Sequence, residues 1–362
     1  MKHEVFQMDQ VAAEPFAAPV EAGRIAAAKR SFVIRRIDLG MAAGLIAAGA
    51  TPRAGDLVLA RVDRLGQHKR LEEPGGRRAT LFPGDEILVA YGDRYAPDQF
   101  EARVPESLGS CELVAGGGIA ASVLRQSSKV GNATGITSVG LVTDASGRRL
   151  NTRDFAMAEP SRTENMPRVV AVVGSSMNAG KTTTISALVR AETSRRRRVA
   201  AVKVTGTGSG GDLWSYRDAG AQLALDFTDA GYATTHRLSN AEREGILETL
   251  VARAAAEKME IVFVEIADGL LLPETAELIL SQTFRNMVDS VIFAAADAMG
   301  AVAGSAWLQR HRLPLRAVSG AVTASPLAVS EIAAEIELPT VGLDEIAAGA
   351  LEFERIDPAC AA

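Results

Sequence analysis

The hydrophobic rhythm of the chain changes near its middle. Up to about residue 154, apolar and polar positions alternate. The stretches "SFVIRRIDL" (31–39), "DLVLARVDRL" (56–65) and "EILVAYGDRY" (86–95) follow a period of two, the pattern of strands half buried against a core. Turn residues punctuate them at Gly55-Asp56, Pro83-Gly84-Asp85 and Gly92-Asp93. "LVAGGGIAASVLRQSSK" (113–129) predicts a strand end, a triple-glycine turn and a short helix. Residues 31–154 are therefore expected to form a β-rich α+β domain, a small barrel or sandwich with some helix. "YGDRYAPDQF" (91–100) reads as a hairpin tip in preference to a recognition loop. Residues 1–30, Ala-rich with Pro15 and Pro19, predict an arm carrying one helix near 20–29.

From Arg168 the apolar runs become continuous and β-branched: "RVVAVVG", "RVAAVKVTG", "EIVFVEIADG", "SVIFAAAD" and "LRAVSGAVT". Strands buried on both faces read this way. Helical stretches separate them, so residues 168–350 predict an α/β domain with a mostly parallel sheet. The polar segment 155–167, with Pro160 and Pro167, marks the linker, and 351–362 a tail.

Composition narrows the class. With 362 residues, 39 Lys+Arg against 44 Asp+Glu and about a quarter of positions charged, the chain reads as a mildly acidic globular protein. That balance argues against a general nucleic-acid binder. No apolar run approaches the ~18 residues of a membrane span. Glu4, Asp9, Glu14 and Glu21 interrupt any signal-peptide pattern, so a cytoplasmic location and no membrane partner are expected. Cys111 and Cys360 are too far apart in sequence for a metal or disulfide pattern, and read as a small hydrophobe and a tail thiol. His68, His236 and His311 have no metal spacing. The basic run Arg195–Arg198 complements a helix C-terminus.

The chemistry concentrates in "VVGSSMNAGKTTT" (172–184). A strand runs into a loop of small residues, and Gly-Lys-Thr opens a helix predicted from Thr182 to about Arg195. This is the context of a phosphate-binding loop, in which backbone N–H groups and a helix N-terminus cradle an anion. The first motif position holds Ser175, with Gly174 one residue early. The loop residues Gly174, Ser175, Ser176, Met177, Asn178, Ala179, Gly180, Lys181, Thr182 and Thr183 are the expected nucleotide contacts. Lys181 would meet the β- and γ-phosphates and Thr182 a Mg²⁺ ion. Ser176 occupies the place of the second lysine carried by dimerising switch ATPases, so the loop falls closer to the ligase-like branch.

Two further segments end predicted strands beside that loop. "AVKVTGTGSGGD" (201–212) offers Lys203 for an anion, with Thr205, Thr207 and Ser209 as substrate contacts. Asp212 and Asp218 are both candidates for Mg²⁺. "IVFVEIADGLLLPET" (261–275) places Glu265 at a strand tip as a metal ligand, with Asp268 in reserve and as a further substrate contact. Trp214 and Tyr216 read as packing or lid residues.

On these motifs, residues 168–342 resemble dethiobiotin synthetase and its relatives. The resemblance rests on GSSMNAGKT, on Lys203 with its glycine-rich stretch, and on V-E-x-x-x-G-L-x-x-P from Val264 to Pro273. A P-loop family known for a D-glutamate N-acetyltransferase component, and the GTP-binding adaptor of molybdopterin dinucleotide synthesis, are similar in layout. The resemblance implies an ATP (or GTP)·Mg²⁺ site, Lys203 facing a substrate carboxylate, and a homodimer. Ile266-Ala267-Asp268 and Ala324 depart from the synthetase pattern, which leaves the base open and argues against biotin synthesis itself. The expected function is Mg²⁺-dependent phosphoryl transfer or ligation onto a small anionic substrate, with Lys181 and Lys203 catalytic. A nucleotide-driven adaptor and an acyl-coenzyme A-dependent transferase are the alternatives.

Overall fold

The computed structural model describes residues 17–158, 160 and 165–353. In the N-terminal half the alternating runs close into a ring. Leu57–Arg64 pairs antiparallel with Glu86–Tyr91 and with Thr134–Thr143. Glu86–Tyr91 runs parallel to Ile119–Gln126, which turns back antiparallel on Ser110–Ala115. Ser110–Ala115 then pairs with Thr134–Thr143 and completes the barrel. Closure satisfies the backbone groups that an open sheet edge would leave unpaired. Cys111 is buried in the wall, and Cys360 lies outside the described residues.

Two expectations for this half need correction. "SFVIRRIDL" is not a strand: Phe32–Ile34 forms a 3₁₀ turn with all three side chains buried. Arg30 Nη2 donates to the carbonyls of Ile34, Arg35 and Ile37 at 3.0, 2.8 and 2.7 Å, taking acceptors that a neighbouring strand would otherwise use. The helix expected after the triple glycine is the strand Ile119–Gln126. Gly118, at φ +106°, folds the chain back so that this segment finds strand partners on both sides. Tertiary pairing outweighs the weak helical preference of its Ala and Leu residues. The helix expected near 20–29 is present at Ala22–Ala27.

The second half is a parallel six-stranded sheet. Its order is Leu223–Asp226, Val199–Lys203, Ile261–Glu265, Arg168–Gly174, Ser290–Ala294, Leu315–Ser319. Five of these are the continuous apolar runs. The edge strand Leu223–Asp226 was not anticipated. The helix after the glycine-rich loop spans Lys181–Ser194. Among the described residues no helix is long and apolar enough to cross a membrane.

The barrel sits against the parallel sheet through one continuous apolar cluster, which joins Phe32, Val33 and Ile34 to Val172, Ile185 and Tyr216. Arg35 pins the contact. It bonds Thr228, pairs with Asp229 at 2.7 Å and Asp226 at 3.2 Å, and lies 4.2 Å above the Phe32 ring. Gly117 and Gly208 meet backbone to backbone: a Cβ at Gly117 would lie 2.0 Å from the Gly208 carbonyl oxygen. The barrel is thereby held over the carboxyl ends of the parallel strands, where open α/β sheets bind ligands.

Candidate phosphate-binding site

The loop after Arg168–Gly174 is built for an anion. Gly180 has φ +96°, and a Cβ there would lie 2.8 Å from the Ala321 nitrogen, so the position requires glycine. A Cβ at Gly174 would press on the Lys181 side chain at 3.0 Å. The early glycine therefore lets Lys181 fold back over the strand end, while the Ser175 amide donates to the Ala294 carbonyl and its hydroxyl accepts from the Ala296 amide. Among the described residues, no acceptor is found for the amides of Ser176, Met177, Asn178, Ala179 or Gly180. Unpaired amides around a helix N-terminus form a concavity that attracts phosphate.

Lys181 stands inside this ring, only 6 % exposed. Its ammonium donates to the carbonyls of Ser176 (2.9 Å) and Asp268 (3.1 Å) and touches no carboxylate. Desolvation lowers its pKa, opposed by the more distant charge of Glu265. The carbonyl of Asp268 is turned to the lysine by a left-handed backbone at φ +64°. The Asp268 carboxyl is itself raised by burial, against the pull of Lys181 and Lys203.

Strand register sets the next layer. Lys203 and Glu265 are Cα partners on adjacent parallel strands, both at the carboxyl end. Lys203 pairs with Glu265 at 3.3 Å and closely with Asp212, which lies in the first turn of Gly211–Asp218. Burial alone would lower the Lys203 pKa, but the two carboxylates hold it above its ordinary value. Asp212 stays below its ordinary value although burial opposes this, because Lys203 bonds it. Thr182 Oγ1 lies 2.8 Å from Asp212 and 3.0 Å from Glu265. Tyr216, fully buried, donates its hydroxyl to the same Glu265 oxygen.

This donor set fits Mg²⁺. A threonine hydroxyl has one proton and can donate to only one of the two carboxylates. Its lone pairs then face the other carboxylate oxygen, an arrangement that a divalent cation resolves. Among the described residues there is no group of three His, Cys, Asp or Glu side chains suited to a metal. Mg²⁺ needs none, since it binds through one or two carboxylates together with phosphate oxygens and water. Asp218 is at the opposite end of its helix from this cluster.

Above the loop lies a cavity of about 430 Å³, in which Arg94 and Tyr95 of the barrel face Lys181, Lys203 and Asp268. The hairpin Arg94–Tyr95/Phe100–Arg103 carries them there. The hairpin reading of this segment holds, but its place over the phosphate loop was not legible. Asn178 bonds Asp98 of the same hairpin at 3.3 Å. Of the expected substrate contacts, Thr207 and Asp268 line this cavity. Thr205 accepts the Ala267 amide at 2.8 Å, and Ser209 donates to Glu72 of the barrel at 3.0 Å. Trp214 packs beside Gly76 of the barrel, with the Arg217 guanidinium 4.9 Å above its ring.

A second cavity, of about 620 Å³, adjoins the first across Arg94 and Thr207. His68 lines it, with Nε2 2.8 Å from the Val114 carbonyl oxygen. Burial, reinforced by Arg94, lowers its pKa from 6.5 to about 4. The folded state thus binds fewer protons than the unfolded chain between those values, and acidification through that window destabilises it. From pH 7 to pH 5 the loss from this group is about 2 kcal/mol, at 1.36 kcal/mol per pH unit below 6.5. Denaturant unfolding at the two pH values should show His68→Gln losing less stability than wild type; equal losses would contradict a neutral His68.

The family model for molybdopterin guanine dinucleotide synthesis protein B (MobB) matches residues 169–268, from the first strand of the parallel sheet to Asp268. No curated protein matches the chain. Solved structures that the chain matches include the signal recognition particle receptor FtsY from Elizabethkingia anophelis in complex with GDP, at 16% identity over 52% of this chain and 60% of that one, with a TM-score of 0.37. The 54 kDa signal recognition particle protein from Aeropyrum pernix K1 in complex with GDP is 19% identical over 50% and 43%, TM-score 0.34. Chloroplast FtsY from Physcomitrella patens is 16% identical over 51% and 61%, TM-score 0.35. The chain thus spans about 60% of the length of the first of these structures. The parallel-sheet half is a P-loop NTPase-like α/β domain, preceded by a β-rich half.

Proposed function

We propose that the chain is a Mg²⁺-dependent nucleoside triphosphatase whose phosphate loop serves phosphoryl transfer to a small carboxylate. The ring of acceptor-free amides from Ser176 to Gly180 around an unpaired Lys181 carries this reading. The amides and Lys181 would bind the β- and γ-phosphates. Thr182, Asp212 and Glu265 would hold Mg²⁺, which when bound neutralises charge developing on the phosphates. Tyr216 fixes the Glu265 carboxylate, and Lys203 stands beside Asp212 and Glu265 with its positive charge intact. In the transfer a carboxylate oxygen bonds to the γ-phosphorus, the bond to the β,γ-bridging oxygen breaks, and the nucleoside diphosphate leaves with that electron pair.

The barrel favours an enzyme over an adaptor that grips a protein partner. It reaches over the loop with Arg94 and Tyr95 and encloses a space of small-molecule size. Phosphate release from ATP and GTP, each with and without Mg²⁺ and with a panel of mono-, di- and tricarboxylic acids, tests the proposal. Metal-dependent release raised at least tenfold by one acid supports it. Release that no acid raises sinks the carboxylate acceptor, and no release at all sinks the triphosphatase.

A further inference from the structure

Arg94 is a buried cation with no carboxylate in contact. Its side chain is only 7 % exposed, and among the described residues no carboxylate lies within ion-pair distance of it; Asp268, on the lining of the first cavity, acts on it only at longer range. Its nearest partners are neutral. Nη2 donates to Gln99 at 2.9 Å, and the ring stack is Phe100 at 6.0 Å. Nη1 approaches His68 Nε2 at 3.3 Å, but that nitrogen faces the Val114 carbonyl, to which it can only donate. It therefore has no lone pair for Arg94. Nε has no hydrogen-bond partner among the described residues. A buried guanidinium left this way costs several kcal/mol unless an anion joins it.

The wall of the second cavity repeats the sign. Strands Arg70–Glu72 and Arg78–Thr80 form a hairpin whose register sets Glu72 opposite Arg78. Arg70 and Arg78 stand two residues and one strand apart on one face, exposed and unpaired among the described residues, and Lys69 adjoins them. The one carboxylate in the lining, Glu72, is already occupied by the Ser209 hydroxyl and the Gly210 amide, at 3.0 and 3.1 Å. The cavity is thus cationic, and it opens into the phosphate cavity through Arg94 and Thr207.

We infer that this second cavity is the binding site for the acceptor, a small molecule with two or more carboxylates, held by Arg70 and Arg78 at its outer end and by Arg94 beside the phosphate loop. The inference rests on the phosphoryl-transfer reading for the role of the ligand, though not for its binding. The test is thermal unfolding of the full chain with 10 mM citrate, succinate or inorganic phosphate, and separately with Mg·GTP or Mg·ATP. A di- or tricarboxylate is expected to raise Tm by several degrees in wild type and in Lys181→Ala, and by less than half as much in the Arg70→Ala/Arg78→Ala variant. Arg94→Met should abolish the response while raising Tm of the ligand-free protein, since it removes a buried charge that no carboxylate contacts. A merely structural Arg94 would instead give a lower Tm. No response to either carboxylate overturns the inference. So does a response lost in Lys181→Ala, which would place the anion on the phosphate loop, or a response to phosphate alone. A missing nucleotide response with an intact carboxylate response would sink the triphosphatase reading and leave this site standing.

Discussion

Lys181→Ala is expected to lower nucleotide hydrolysis by at least a hundredfold while leaving the ligand-free protein as stable as wild type or more so. The two effects have one origin. Lys181 is buried within the loop, held only by two carbonyl oxygens, with no carboxylate in contact. Its desolvation is only partly offset by the more distant Glu265 until an anion arrives, so the ligand-free fold gains little from the charge. A transferring phosphoryl group gains a great deal. Removing one preorganised donor from such a site costs about 10²–10³ in rate. Phosphate release and Tm measured on the same preparation check this. A variant that loses stability and keeps its rate would show that Lys181 is a structural lysine.

Glu265 gives the second large effect, and its two substitutions separate structure from metal binding. Glu265 is buried and serves Thr182, Lys203 and Tyr216 at once. In Glu265→Ala the largely enclosed Lys203 keeps Asp212 alone and the Tyr216 hydroxyl loses its acceptor. Breaking a buried ion pair in this way costs about 3–5 kcal/mol. Glu265→Gln retains the shape and a carbonyl acceptor, so most of the stability remains, but one of two carboxylate charges for the divalent ion is gone. The expected result is a nucleotide Kd at least tenfold weaker in Mg²⁺ and nearly unchanged in EDTA, a difference of about 1.4 kcal/mol or more. Equal Mg²⁺ dependence in wild type and Glu265→Gln would remove Glu265 from the metal site.

What the sequence disclosed follows from how local each signal is. The parallel strands were legible because both faces of each are buried, which forces continuous β-branched runs such as Val169–Val173 and Ile261–Val264. Lys203 and Glu265 were legible because each interrupts such a run at its end, and the register then places them side by side. The edge strand Leu223–Asp226 escaped notice because it has one neighbour and only four residues. "SFVIRRIDL" misled because burial between two sheets gives a short apolar run whatever its backbone does, and the Arg30 bonds that fix it as a 3₁₀ turn join residues of no recognisable spacing. Arg94 is the instructive omission. Nothing within "GDRYAP" marks it; its position over the loop is set by pairing of Phe100–Arg103 with Ile119–Gln126 and by the packing of barrel on sheet. A site assembled from two folded units cannot be read from the periodicity of either.

The phosphate loop is expected to accept a nucleotide together with its divalent ion. Calorimetric titration of the full chain with a non-hydrolysable GTP or ATP analogue, in Mg²⁺ and again in EDTA, addresses this directly. One molecule bound per chain, at least tenfold tighter with Mg²⁺ and undetectable in Lys181→Ala, is the predicted result. No heat with either analogue in wild type, or undiminished binding in Lys181→Ala, would contradict it.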